Sequence, residues 1–192
     1  GELVGRPSTK SSEIPDSETW QSYSVGQFPP SPYVEVDASG GILIDDTRSY
    51  GDSDRSFHVD GNHGHNDGEF DPFARSTFDA RQQDTLEIHY NETGGSQGQA
   101  WRWFDDAGEE ICAVVADNPQ TYVYHEGGTT DLEQSPSPSY DEWRRFEITI
   151  DWESGTFDVL WEDLTGSTSD ATATDLSFVG SPDNVARWEM GN

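Results

Sequence analysis

The chain has 192 residues and a formal net charge of −28, from 38 acidic and 10 basic residues, which argues against nucleic acids and anionic membranes as partners because both need basic patches. Seven Trp, seven Tyr and nine Phe argue against an acidic disordered chain, because such chains are poor in aromatic residues. Cys112 is the only cysteine, so neither an internal disulfide nor a multi-cysteine metal site can form. No stretch is apolar enough to insert into a membrane.

The first residues differ in composition from the rest of the chain. Residues 1–19 mix Ser, Thr, Pro and charged residues with few apolar anchors, which predicts a linker or N-terminal arm. From Trp20 onward, short runs of alternating apolar and polar residues end in turn residues, and no 3.6-residue apolar period is sustained. We therefore expect a single β domain over residues 20–192, a length sufficient for a sizeable core.

Alternating apolar residues predict a succession of short strands, joined by turns and by long polar loops at 60–72 and 126–141. In chain order the predicted strands lie within 41–46, 56–60, 85–92, 101–104, 109–116, 121–125, 144–152, 156–162 and 185–190. Asp105 to Gly108 supply the turn of one hairpin.

The hairpin at 144–162 has the clearest pattern. One face of its first strand carries Phe146, Ile148, Ile150 and Trp152, and polar residues occupy the other face. A turn at Ser154-Gly155 follows, and the next strand alternates in the same way. One core face and one wet face are typical of an antiparallel sheet. The sequence thus predicts an all-β fold, a two-sheet antiparallel β-sandwich, and its length favours a jelly roll over an immunoglobulin-like domain.

The same hairpin carries a resemblance to a known family. Residues 142–151 followed by 155–159 resemble a hairpin typical of concanavalin A-like lectin/glucanase domains, including laminin-G-like ones. Residues 20–30 and 55–59 resemble the start of secreted bacterial and archaeal members, and 184–192 resemble their final strand. The resemblance implies two stacked, curved sheets with a concave face, in a family of lectins, adhesion modules, glycoside hydrolases and polysaccharide lyases.

The balance of charged residues carries a second resemblance. Acidic residues are abundant and Lys10 is the only lysine, which is similar to the proteins of extreme halophiles. Molar salt shortens the Debye length to about 3 Å and screens most of the repulsion within such a chain.

Paired carboxylates on one strand would indicate a glycosidase. Retaining glycosidases of the resembling family carry E-x-D-x-(x)-E on one strand, so that two carboxylates face one sugar. The nearest approach here is Glu147, Asp151 and Glu153, with Thr149 where the central Asp should stand. A chain with 38 acidic residues contains such spacings by chance. We therefore expect no catalytic residues and predict that the protein is not an enzyme.

Two groups of oxygen-bearing side chains could hold Ca²⁺, which prefers several oxygen ligands and is often bound by laminin-G-like relatives. The first group, in a Gly-rich loop, is Asp60, Asn62, Asn66, Asp67 and Glu69, and the second is Asp45, Asp46, Asp52 and Asp54. Neither has EF-hand spacing. The other interpretation is a set of solvated carboxylates in an acidic chain.

Two histidines share the first of these loops. His63 and His65 are spaced to share a metal ion, with Asp60, Asp67 or Glu69 completing the site. Alternatively, both imidazoles face water in a polar loop.

Aromatic residues on a polar sheet face would allow sugar recognition, because a ring can stack on the apolar face of a sugar. Tyr122 and Tyr124 flank Val123 and are expected to point outward. If Trp101 and Trp103 share that face, the four rings form a stacking platform, with Arg102 on the other side. The alternative is that the two tryptophans belong to the core.

These observations favour a non-catalytic carbohydrate-binding or adhesion module of a halophilic surface or secreted protein. Its partner would be a glycan or a surface protein, and its location extracellular. A structural, decoration or receptor-binding protein of a haloarchaeal virus, on the virion surface, is the first alternative. A glycoside hydrolase or polysaccharide lyase is the second. The arm at 1–19 suits a module joined to a larger multidomain protein or viral particle.

Overall fold

A computed structural model describes residues 24, 27, 33–35, 42–45, 56–59, 72–92, 98–117, 120–134, 139–166 and 168–191. Within these ranges the chain forms strands joined by turns, and no helix is long or apolar enough to cross a membrane. The strands are β1 (Tyr33–Glu35), β2 (Ile42–Asp45), β3 (Ser56–Val59), β4 (Pro72–Arg81), β5 (Thr85–Asn91), β6 (Gln99–Phe104), β7 (Glu110–Asp117), β8 (Gln120–His125), β9 (Gly128–Asp131), β10 (Trp143–Asp151), β11 (Thr156–Asp163), β12 (Ala171–Ser177) and β13 (Val185–Gly191).

Two antiparallel sheets form a sandwich. The larger sheet has seven strands in the order β1-β4-β13-β6-β7-β8-β9, and the smaller has four in the order β12-β11-β10-β5. Strands β2 and β3 form a separate antiparallel pair. The prediction of an all-β, two-sheet antiparallel sandwich is confirmed.

The core lies between the two large sheets, where strand alternation turns one apolar face of each inward. The smaller sheet contributes Phe146, Ile148 and Ile150 from β10, all buried, and the equivalent residues of β11. In the larger sheet, β6, β7 and β8 supply most of the opposing core. The two-residue period of the hairpin at 144–162 therefore placed its buried face correctly.

Three features of the fold differ from the sequence analysis. Strand β9 lies inside the stretch 126–141, so the prediction of a continuous loop there is wrong for residues 128–131. Strands β1, β4 and β12 were not identified, because β1 has only three residues and the buried sides of β4 and β12 carry mainly small residues. Trp152 lies in the β10–β11 turn, half-buried against Phe178, rather than in the strand.

Candidate functional site

The face of the seven-stranded sheet that points away from the core is called the outer face here. Strand β6 defines it, because Trp101 and Trp103 join the core whereas Arg102 alternates to the opposite side. Cross-strand register then places a set of described residues on the outer face. They are Arg75, Ala100, Arg102, Phe104, Glu110, Ala113, Val115, Asp117, Tyr122, Tyr124, Thr129, Asp131, Arg187 and Glu189.

Two tyrosines form an aromatic pair on the outer face. Tyr122 and Tyr124 flank the fully buried Val123, and their ring centroids lie 5.5 Å apart at an interplanar angle of 76°. Tyr124 is 43% exposed, which is unusual for a large aromatic side chain in a sheet. Burial, together with the charges of Tyr124 and Asp117, raises the pKa of Tyr122 to about 12, so its hydroxyl stays protonated near neutral pH.

Small residues lie beside the tyrosine pair. In register, Tyr122 is followed across the sheet by Val115 and Ala100, and Tyr124 by Ala113. These three small side chains are buried. They separate the two large rings on β8 from the charged residues on β6 and β13, so the outer face has an aromatic part and a charged part.

The charged part is a group of arginines around one carboxylate. Glu189 is only 9% exposed and is flanked in register by Arg75 on β4 and Arg102 on β6. The Nε atom of Arg187 lies 3.3 Å from Oε1 of Glu189. Arg102 donates from Nε to Oε1 of Glu110 at 2.9 Å and makes a second contact from Nη2 to Oε2. Arg75, Arg102 and Arg187, with Glu189 between them, are called the arginine cluster below.

Phe104 packs beneath two members of that cluster. The Cζ atoms of Arg187 and Arg102 lie 4.2 Å and 5.0 Å from the centre of its ring. A guanidinium plane over an aromatic ring gains cation–π attraction and keeps its N–H edge available for hydrogen bonds. Phe104 thus holds two arginine side chains in place on the outer face.

The predicted platform of four aromatic residues is not assembled as expected. Trp101 and Trp103 are 7% and 5% exposed and belong to the core, as the alternative interpretation stated. The reason is register: Trp101 pairs with Val114, and Val114 pairs with the core residue Val123. Both tryptophans therefore point to the side opposite the tyrosines. Tyr122 and Tyr124 do point outward, and Arg102 shares their face.

Sequence reasoning missed the remaining members of the site. Arg75, Arg187 and Glu189 have no motif in common, and they meet only because β4, β13 and β6 are neighbours in the sheet. Strand β13 is the last strand of the chain and lies between β4 and β6. The alternation in residues 99–104 could have indicated one member of the site, because it places Arg102 on the face opposite Trp101 and Trp103.

The predicted metal ligands lie outside the described residues. These are Asp60, Asn62, Asp67 and Glu69, with His63, His65 and the side chains of the Asp45 group. A calcium site there stays a prediction. Among the described residues, Asp105, Asp106 and Asp183 have carboxylate oxygens within 4.8 Å of one another. Loop hydrogen bonds use all three of them, since Glu109 N donates to Asp105 at 2.7 Å and Asn184 Nδ2 donates to Asp106 at 2.9 Å and to Asp183 at 2.6 Å.

The carboxylates considered as a glycosidase motif lie on the four-stranded sheet and its turn. Glu147 is 3.3 Å from Nη1 of Arg145, which also pairs with Glu87 and Glu162. Asp151 accepts hydrogen bonds from the backbone N–H of Ser154 at 3.1 Å and of Glu153 at 2.9 Å, and these bonds lower its pKa. Charge pairing and turn formation account for both side chains.

No family model matches the chain, and neither does any curated protein. Three solved structures are similar in backbone. The first is scytalido-glutamic peptidase with a peptide-based transition-state analogue, at 17% identity over 58% of this chain and 59% of that one, with a TM-score of 0.40. The second is SCP-B, of the eqolisin family of peptidases, with the tripeptide Ala-Ile-His, at 19% identity, the same two coverages and a TM-score of 0.36. The third is a sialidase, at 7% identity over 65% of this chain and 11% of that one, with a TM-score of 0.44.

The chain is a β-sandwich protein. The sandwich is defined by the chain's own two large sheets, and the matches span 59% of each peptidase and 11% of the sialidase. Because two of the three similar structures are peptidases, the prediction that the protein is not an enzyme is withdrawn.

Proposed function

We propose that the sandwich recognises carbohydrate on the outer face of its seven-stranded sheet. The observation that supports this is the outward-pointing pair of Tyr122 and Tyr124, two rings 5.5 Å apart, one of them largely exposed. An exposed aromatic ring offers an apolar surface to the C–H face of a sugar, and its hydroxyl offers a hydrogen bond at the edge.

Polar groups beside the rings suit the hydroxyl groups of a sugar. Asp131 and Thr129 stand opposite Tyr122 and Tyr124 in register on β9. Asp117 lies on the next strand, half-buried, and burial raises its pKa. Oxygen acceptors and a hydroxyl donor thus border both rings, which is the combination of apolar surface and a few placed polar groups that ligand sites use.

We further infer that the protein is related to concanavalin A-like lectin/glucanase domains and comes from an extreme halophile or its virus. The β10–β11 hairpin supports the relationship, because Phe146, Ile148 and Ile150 pair with Trp161, Val159 and Phe157 across one buried face. The charge of −28 with a single lysine supports the salt-rich origin. An extracellular or cell-surface location follows from the same proposal.

A glycan array in molar KCl tests the proposal. The wild-type protein is expected to bind at least one glycan class, and Tyr124→Ala should weaken that binding about tenfold, which corresponds to about 1.4 kcal/mol. Tyr140→Ala is the matched control, because Tyr140 is also exposed, at 46%, but lies in the turn before β10. The same glycans are assayed for released reducing ends, which separates binding from cleavage.

Two outcomes would overturn the proposal. One is the absence of any bound glycan at molar salt with a folded protein. The other is equal loss of binding in Tyr124→Ala and Tyr140→Ala. Recovery of the chain in an ordered particle that binds no glycan would support the viral structural alternative instead.

A further inference from the structure

We propose that the glycan recognised on the outer face is acidic, and that the arginine cluster binds the carboxylate of a uronic acid unit next to the sugar stacked on Tyr122 and Tyr124. This inference rests on the proposed function and names the class of ligand for the same face.

The local charge is opposite to that of the protein. The chain has ten basic residues against 38 acidic ones, yet three of its nine arginines lie together on β4, β6 and β13. Among the described residues, Glu110 pairs with Arg102 and Glu189 pairs with Arg187, and no described carboxylate pairs with Arg75. A local excess of positive charge in a protein of charge −28 attracts an anion to this one part of the surface.

The three arginines have different roles. Arg102 is fully engaged with Glu110 through two contacts, so it contributes charge rather than free donors. Arg187 lies over Phe104, and its buried Nε makes no hydrogen bond to any residue in the described ranges. Arg75 is exposed on β4. The Nε of Arg187 also lies 3.3 Å from Glu189, so only the partly exposed outer end of its guanidinium group is open to a ligand, as is the exposed Arg75.

The spacing fits one short oligosaccharide. Tyr124, Ala113 and Arg102 form one row across β8, β7 and β6, and Glu189 and Arg75 continue that row on β13 and β4. Strands in a sheet lie about 4.8 Å apart, so β8 and β13 are separated by about 14 Å. A sugar stacked on the tyrosines can therefore be covalently linked to another whose substituent reaches Arg187.

A carboxylate suits the site better than other anions. The guanidinium group presents two parallel N–H donors that match the two oxygens of a carboxylate, and such bidentate pairs are stronger than neutral hydrogen bonds. Phe104 fixes the plane of Arg187, which reduces the entropy lost when an anion binds. A sulfate ester could also use these donors, so the experiment compares both anions directly.

The experiment measures the affinity of the full chain for three oligosaccharide sets of equal length: neutral, uronate-containing and sulfated. Calorimetry is done at two KCl concentrations at which the protein is folded. The uronate set is expected to bind at least tenfold more tightly than the neutral set, and this advantage should shrink as salt rises, because screening weakens ion pairs. Arg187→Gln and Arg75→Gln should each remove most of the advantage.

Arg81→Gln is the matched control, since Arg81 is also exposed on β4 and its loss changes the net charge equally. Arg187→Gln could also disturb folding, since Arg187 packs on Phe104, whereas Arg75 does not. Arg75→Gln therefore tests the ligand contact separately, and denaturation midpoints are measured for all variants. Equal affinity for neutral and uronate sugars would overturn the inference, as would equal effects of Arg81→Gln and Arg187→Gln. Tighter binding of the sulfated set would overturn the assignment of a carboxylate.

The inference and the proposed function fail in different ways. If no oligosaccharide of any set binds, the proposed function fails. If neutral oligosaccharides bind and depend on Tyr124, and uronates bind no better, only the acidic ligand class is wrong.

Discussion

At the scale of single residues, the core contains one polar contact that the hydrophobic pattern does not show. Trp161 donates from Nε1 to the hydroxyl of Tyr90 at 2.7 Å, across Phe146, whose ring stacks on Tyr90 at 5.3 Å. Burial raises the pKa of Tyr90, so its hydroxyl stays protonated. A buried N–H without a partner costs free energy because it has lost its bonds to water. Tyr90 and Trp161 therefore depend on each other.

Replacing Tyr90 with Phe should expose that dependence. Tyr90→Phe leaves the Trp161 N–H unpaired in the core and is expected to lower the free energy of unfolding by about 1–3 kcal/mol. Urea denaturation at high salt measures it. Tyr140→Phe, at an exposed position, is the control and should stay within about 0.5 kcal/mol of the wild type. An unchanged midpoint for Tyr90→Phe would show that the hydrogen bond is not formed.

The stability of the turn that contains Asp163 is expected to depend on pH. Burial alone would raise the pKa of Asp163, but N–H groups of Thr168, Gly166 and Thr165 donate to its carboxylate and together lower it. A Cβ on Gly166 would meet a side-chain oxygen of Asp163, so a larger residue there would displace the carboxylate from these hydrogen bonds.

The sign of the effect follows from the lowered pKa of Asp163. Its contribution to stability is fully present above the unfolded value of about 3.9 and is lost as the pH falls through the lower folded value. Asp163→Asn should therefore destabilise the protein at pH 7 and make less difference near pH 2. Asp170→Asn removes the same charge from an exposed position and serves as the control. Denaturation midpoints are measured across this pH range for both variants and the wild type. The difference between the two variants removes the general effect of acid on this negatively charged chain. A constant difference between Asp163→Asn and wild type would contradict the assignment.

At the scale of elements, the β10–β11 hairpin shows how alternation divides one strand between two environments. Ile148 is fully buried, whereas its neighbour Thr149 is exposed on the opposite face. On that opposite face Arg145 pairs with Glu87, Glu147 and Glu162, so charges are balanced locally. Gly155 closes the hairpin with a positive φ of 70°, which favours glycine.

Alanine substitutions at two adjacent positions of β10 test this division. Ile148→Ala should lower the free energy of unfolding by about 2–5 kcal/mol, because it removes buried methyl groups and leaves a cavity. Thr149→Ala should change it by no more than about 0.5 kcal/mol. Both are measured by urea denaturation in the same buffer. Similar losses at the two positions would mean that the strand does not separate core from solvent.

At the scale of the whole molecule, electrostatic repulsion opposes the compact state. A formal charge of −28 on 192 residues destabilises the fold most strongly at low ionic strength, where charges interact over about 30 Å at 0.01 M salt. At molar salt the interaction length falls to about 3 Å, and close pairs such as Arg145 with Glu162 persist while long-range repulsion does not.

The melting temperature should therefore rise as KCl increases from about 0.01 M to above 1 M. In a domain of this size each kcal/mol gained raises the melting temperature by about 2–4 °C. Thermal denaturation followed by circular dichroism measures the dependence. A variant with several exposed carboxylates changed to amides, among them Asp158 and Glu153, should show a smaller dependence. A melting temperature that is flat or falls over this range would contradict the electrostatic explanation.

The amino-acid sequence by itself determined the strands whose two faces differ sharply in polarity. In β10 and β11, large apolar residues alternate with charged ones. This local alternation indicates both the extended conformation and the side of the strand that is buried. The sequence also predicted the outward direction of Tyr122 and Tyr124, because they alternate with the apolar Val123, which the structure buries fully. It did not determine β4 and β12, where small residues line the buried side.

Only the tertiary structure decided which residues share the outer face. The strand register across β6, β7 and β8 decides whether Trp101 or Arg102 lies on the same face as the tyrosines. A shift of the register by one residue would put Trp101 on that face instead of Arg102. The arginine cluster depends in addition on the insertion of β13 between β4 and β6. Strand pairing of this kind is set by the packing of the whole sandwich, which the local pattern of residues does not contain.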